Sequence, residues 1–179
     1  MKPIQEEDIR EDTVLATAKK IAVAARTAPK GKGKDNLVIA VFDKKETRKF
    51  AEAMIELVEK EGYPEFFRRD AENLKQSSAM VVIGTKIEPL NISPCGFCGF
   101  ENCDEKRKHP DIPCAFNTGD LGIAVGSAVS MAADSRLDNR IMYTVGRAAV
   151  RHKLLGDEVK VAYGIPLSAS GKSPFFDRG

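Results

Sequence analysis

Tryptophan is absent from this 179-residue chain, and aromatic residues make up only 7% of it. Proteins that stack successive bases need aromatic platforms, so broad base-stacking surfaces are not expected. Neither sign of charge dominates: 28 Lys and Arg stand against 26 Asp and Glu, a formal +2. Domains that draw their affinity from neutralising phosphates are strongly basic, so nucleic acid is not the expected partner. No apolar run approaches the roughly 20 residues of a membrane span. The start, Met1-Lys2-Pro3-Ile4-Gln5-Glu6-Glu7-Asp8, is acidic and lacks the apolar stretch of a secretion signal. The expected setting is cytoplasmic, away from membranes. Only two histidines are present, His109 and His152, and no nucleophile–base pair has a recognisable spacing, so hydrolytic chemistry has no support. What remains is 42% apolar and 30% charged, enough to bury a core.

Cysteine is scarce but concentrated. All four, Cys95, Cys98, Cys103 and Cys114, fall within one twenty-residue window. In a cytosolic chain such crowding points to metal ligation or redox chemistry rather than to a disulfide framework. The spacing is C-x2-C-x4-C-x10-C. The first pair can turn two thiolates towards one centre, and the third and fourth can return to it. Four thiolates suit tetrahedral zinc or an iron–sulfur cluster, and His109 could replace one of them on zinc. The intervening residues favour the cluster. Gly96 and Gly99 let backbone N–H groups turn towards sulfur, and Phe97, Phe100, Ile112 and Pro113 can exclude water.

The rest of the chain alternates helical and strand periods. Residues 5–28 space Ile9, Val14, Ala18, Ile21 and Ala25 as one helical stripe ending before Pro29, Gly31 and Gly33. Residues 37–42 form a continuous apolar run, expected as a strand buried on both faces, and residues 79–84 form another. Between them lie an amphipathic helix over 47–61, with Phe50, Ala53, Met54, Leu57 and Val58 inward, and a shorter one over 65–75. Residues 85–119 have no period, hold four prolines and every cysteine, and need cohesion that a bound metal would supply. A small-residue helix over 122–133, a short strand over 140–144, a helix over 147–155 and a strand over 158–167 complete the pattern. The expectation is one α+β domain, 1–179, with residues 85–119 as an inserted iron–sulfur module.

Ser170-Gly171-Lys172-Ser173 echoes a phosphate-binding P-loop, but Pro166 stands where its first glycine is required and Pro174 forbids the following helix. Lys30-Gly31-Lys32-Gly33-Lys34 can be read as a phosphate cradle or as a solvated loop.

Two resemblances sharpen these readings. Cys-Gly-Phe-Cys-Gly-Phe-Glu-Asn-Cys, residues 95–103, resembles the C-G-x-C-G-x-x-x-C start of small [4Fe-4S] modules in electron-transfer subunits. The whole chain is similar to a family of uncharacterised prokaryotic proteins described as containing a ferredoxin domain. That resemblance implies that Cys95, Cys98, Cys103 and Cys114 ligate one [4Fe-4S] cluster. The scaffold, from Ala24-Ala25-Arg26-Thr27-Ala28-Pro29 through Asn36-Leu37-Val38-Ile39-Ala40-Val41, is similar to flavin-dependent nitroreductases, as is the strand ending Val161-Ala162-Tyr163-Gly164-Ile165-Pro166. This second resemblance implies a mixed sheet flanked by helices, a homodimer and FMN. By it, Arg26, Lys30, Lys32, Lys172 and Arg178 are the candidate flavin-binding residues. The basic signature that normally precedes the first helix is reduced here to Arg10. The leading expectation is an iron–sulfur electron-transfer protein coupled to a flavin or a redox partner protein. The alternatives are a structural-zinc interaction module and an FMN-dependent reductase.

Overall fold

In the computed structural model, which describes residues 2–176, α1 runs over Glu6–Thr27 with Glu6, Glu7 and Asp8 in its first turn and Arg26 in its last. That distribution complements the helix dipole. Val14, Ala18, Ile21 and Ala25 are buried as expected, but Ile9 is 47% exposed, because no residue of 6–13 reaches the core. Strand β1, Leu37–Asp43, passes directly into α2, Lys44–Glu61. The Asp43 carboxylate accepts the Glu46 N–H at 2.8 Å and so starts that helix three residues earlier than the apolar stripe indicates. Gly62, at φ 71°, ends α2 in the left-handed conformation that glycine adopts without strain. Helix α3, Phe66–Lys75, then leads to β2, Ala79–Lys86.

Beyond β2 come α4, Cys103–Arg107, and α5, Ala115–Asp134. They are followed by β3, Asp138–Asn139, α6, Tyr143–Arg151, and β4, Val159–Ser168. The strand order is β1-β2-β4-β3, with helices flanking the sheet as the α+β class requires. All three ladders are antiparallel, where a mixed sheet was expected. The two helices expected between β1 and β2 return the chain so that the strands run in opposite directions.

The faces of the sheet follow the two-residue period of a strand. Ala79, Val81 and Ile83 of β2 point into a core shared with α1 and α5. Met80 and Val82 point into the other, shared with α2, α3 and α6. β2 is therefore buried on both faces. The expectation of equal burial for β1 is corrected: only Leu37 is buried there, since β1 is an edge strand.

Two further expectations shift. The strand expected over 140–144 is reduced to β3 and a single bridge between Met142 and Gly164. The helix expected to begin at Arg147 begins at Tyr143, with Gly146 inside it. Gly146 does not break the helix because it is where α6 meets β4: a Cβ there would lie 1.7 Å from the Ala162 carbonyl oxygen. Below this contact the buried Thr144 hydroxyl donates to Asp70 at 2.7 Å, tying α6 to α3. Among the described residues no helix is long and apolar enough to cross a membrane.

Candidate metal centre

The segment joining β2 to α5 contains no strand, and its shape comes from a few local devices. Gly96 and Gly99 take φ values of 111° and 86°, which side chains disfavour, and the Gly99 N–H closes the turn on the Gly96 carbonyl at 2.9 Å. This turn carries Cys95 and Cys98. The Asn102 side chain accepts the N–H groups of Asp104 at 3.0 Å and Glu105 at 2.9 Å, nucleating α4 with Cys103 in its first turn. Cys114 is the N-terminal cap of α5, a 20-residue helix that starts seven residues before the expected Gly122. The fully buried Asn117 explains the earlier start: it lies in the first turn and accepts the Glu88 N–H at 2.8 Å, holding the incoming chain against α5. Cys114 thus sits at the N-terminal, positive dipole end of α5.

All four cysteines are free thiols, Cys114 buried and the others partly exposed. All four line one recess, closed by Leu90, Phe100 and Phe116. A single tetrahedral zinc needs its sulfurs about 3.8 Å apart. Among the described residues no three His, Cys, Asp or Glu side chains gather closely enough to hold one metal ion. Four thiolates are a donor set for zinc or for a multi-iron cluster, which binds each thiolate to a different iron. The donor set and the apolar walls fit such a cluster. His109 does not line the recess; it stacks on Phe100, with ring centres 5.0 Å apart.

The basic loop is attached to this segment, an adjacency invisible in the sequence. The Gly31 N–H donates to both Asp120 carboxylate oxygens, at 3.0 and 3.2 Å, and a Cβ on Gly31 would meet Leu90 at 2.5 Å. Lys32 Nζ donates to the Asn91 carbonyl at 3.2 Å. Arg26 bonds Asp35 at 2.7 Å and the Leu37 carbonyl at 3.0 Å. Lys30 turns back to the carbonyls of Arg26 and Ala28 at the end of α1. Lys30 and Lys32 thus lie on one loop against the cysteine-bearing segment, with Arg26 next to it in the last turn of α1. Lys172 does not: it follows β4, which leaves the sheet at the end where Leu167 pairs with Ala79, while Leu37 pairs with Thr85 at the other. Arg178 lies outside the described residues.

Asp35 gives this loop a pH dependence. Burial works to raise its carboxyl, but hydrogen bonds from Arg26 and the Leu37 N–H, with the charges of Arg26 and Lys30, outweigh that and hold it below its ordinary value. A depressed carboxyl contributes stability that is present above its unfolded range and is lost as pH falls through the folded one. Asp35→Asn is therefore expected to unfold at lower urea than the wild type at neutral pH. The gap should close as pH drops below about 3.9. A gap that is constant with pH would overturn this role.

The sequence reading missed Lys106, Asn102, Asp120 and Asp35. Only Asn102 had a local signal, an N-cap residue with Asp104 and Glu105 in the turn after it. The other three acquire partners or surroundings only on folding.

The fold defines the class. A nitroreductase-like family protein from Bacillus cereus superposes with a TM-score of 0.61 at 10% identity, covering 96% of this chain and 78% of that one. A nitroreductase family protein from Clostridium novyi NT gives 0.59 at 18%, covering 97% and 78%. An FMN-dependent nitroreductase from Clostridium difficile gives 0.53 at 17%, covering 88% and 76%. At such identities the likeness shows the fold, a nitroreductase-like one. The chain belongs to the family described as "Uncharacterized protein containing a ferredoxin domain", whose profile matches residues 111–178. An uncharacterized protein of Archaeoglobus fulgidus is 41% identical over 184 residues, 98% of this chain and 97% of its own. The profile match includes Cys114 and begins after the other three cysteines.

Proposed function

We propose that this chain is an electron-transfer protein in which Cys95, Cys98, Cys103 and Cys114 hold one [4Fe-4S] cluster. The observation that carries this reading is the convergence of all four unpaired cysteines on one recess. The ferredoxin-domain description of the family supports it. Such a cluster, when bound, takes up and returns single electrons. The chain's part is to shape its surroundings. Leu90, Phe100 and Phe116 wall the site with apolar surface, and Cys114 stands at the positive end of α5. Thiols that stay unpaired fit a reducing, cytoplasmic setting.

The electron partner in this reading is a flavin or a redox protein. Phe97 is 79% exposed, and its ring stacks on Phe116 with centres 5.6 Å apart, forming an apolar rim through which a partner would approach. A second reading, an FMN-dependent reductase acting as a homodimer, is favoured by the nitroreductase-like fold and by Arg26 at the end of α1 standing next to the loop that carries Lys30 and Lys32. In that reading Lys172, at the opposite end of the sheet from that loop, would have to come from the second copy of the dimer.

Anaerobic purification of the full chain, with iron, acid-labile sulfide, zinc and flavin assays, tests both readings. Brown protein with iron and sulfide in equal amounts is the expected result. Colourless protein carrying zinc would replace this reading with a structural-metal module. Flavin released on heating would establish the second reading.

A further inference from the structure

Lys106 is 2% exposed, a burial that lysine almost never reaches unless its charge is paired. Its Nζ makes one long hydrogen bond, 3.3 Å to the His109 carbonyl. Among the described residues no carboxylate lies within ion-pair distance of it. The residue lines the same recess as the four cysteines. Local structure puts it there: the Asn102 cap starts α4 at Cys103, and a residue three positions on lies on the same helical face. An ammonium removed from water with only a carbonyl for company is costly, and the apolar walls offer no other compensation. A negative group within the recess would supply it.

We infer that Lys106 is the built-in counter-charge of the cluster and holds its reduction potential up. The inference rests on the iron–sulfur reading above. Four thiolates make the centre anionic, and each added electron deepens that charge. A positive charge buried in the wall of that recess attracts the reduced form more strongly than the oxidised one, so it favours reduction. The positive end of α5 acts in the same direction through Cys114. Lys106 is a positioning residue here: it shifts the energy of the electron without forming a bond to iron.

The test uses the full chain, anaerobically purified as wild type, Lys106→Met and Lys106→Arg. Methionine keeps a long flexible stem and removes the charge; arginine keeps the charge. Iron and sulfide content is measured first, then the midpoint potential by redox titration followed by electron paramagnetic resonance. Lys106→Met should retain its cluster with the equilibrium constant for reduction lowered at least tenfold, equivalent to about 59 mV for a one-electron couple. Lys106→Arg should stay within threefold of the wild type. Loss of the cluster from the methionine variant alone would also support the assignment, since the charge would then be needed to hold the centre. A fully loaded methionine variant within threefold of the wild type overturns it, as does loss of the cluster from both variants. Iron-free wild-type protein sinks the iron–sulfur reading itself, and the counter-charge role with it.

Discussion

Cys98→Ser is expected to lower iron and acid-labile sulfide per chain at least tenfold and to bleach the visible absorption. The hydroxyl that replaces the thiol is a poor iron ligand at neutral pH, and the remaining three cysteines leave the cage open. The loss should stay local. Neither hydrophobic core includes a residue between β2 and α5; one is built on α2, α3, α6 and the sheet, the other on α1, α5 and the sheet. Within the segment the deeply buried residues are Leu90, Lys106 and Cys114, too few to hold nearly thirty residues in one conformation without an internal centre. The variant should therefore keep its far-UV circular dichroism and a cooperative thermal transition, while limited proteolysis cuts between residues 87 and 114. Full iron content in Cys98→Ser would remove Cys98 from the ligand set. Collapse of the whole sheet would show that the segment supports the cores after all.

The second large effect belongs to the scaffold. In Gly146→Ala the new Cβ would stand 1.7 Å from the Ala162 carbonyl oxygen, 2.3 Å from its carbon and 2.7 Å from the Tyr163 nitrogen. These are backbone atoms of a central strand, so no side chain can swing aside. Helix α6 must lift off β4, opening the packing of Val145, Ala148 and Ala149, all of which are fully buried. Overpacking costs typically about 1–3 kcal/mol, and contact with unyielding backbone puts this variant at the upper end, about 3 kcal/mol. For a chain of this length that corresponds to a fall in Tm of roughly 6–12 °C. Gly126→Ala is the control: it sits in α5 with nothing within 4 Å of a new Cβ, so the ordinary helical preference for alanine should make it neutral or stabilising by up to ~1 kcal/mol. Equal melting temperatures for the two variants would contradict the close approach of α6 to β4.

Much of this architecture is legible along the chain, because periodicity and capping act between near neighbours. The stripe Val14, Ala18, Ile21 and Ala25 announces α1, the apolar run at 79–84 announces a strand covered on both faces, and Gly62 marks the end of α2. The cysteine spacing likewise singles out the window whose four thiols the fold places around one recess. Misreadings arose where a distant element supplies the deciding contact. The run at 37–42 is as apolar as that at 79–84, yet it lies at the sheet edge, since strand order is not a local property. Gly146 looks like a helix breaker until β4 is laid beneath it. Lys106 reads as one more charge in a solvated stretch, and only the folded segment turns it into a buried residue lining the cysteine recess. Local chemistry thus selects which residues can bind a metal. The folding of distant segments onto one another decides which charges and loops surround it, because burial and electrostatic environment depend on neighbours that sequence order does not reveal.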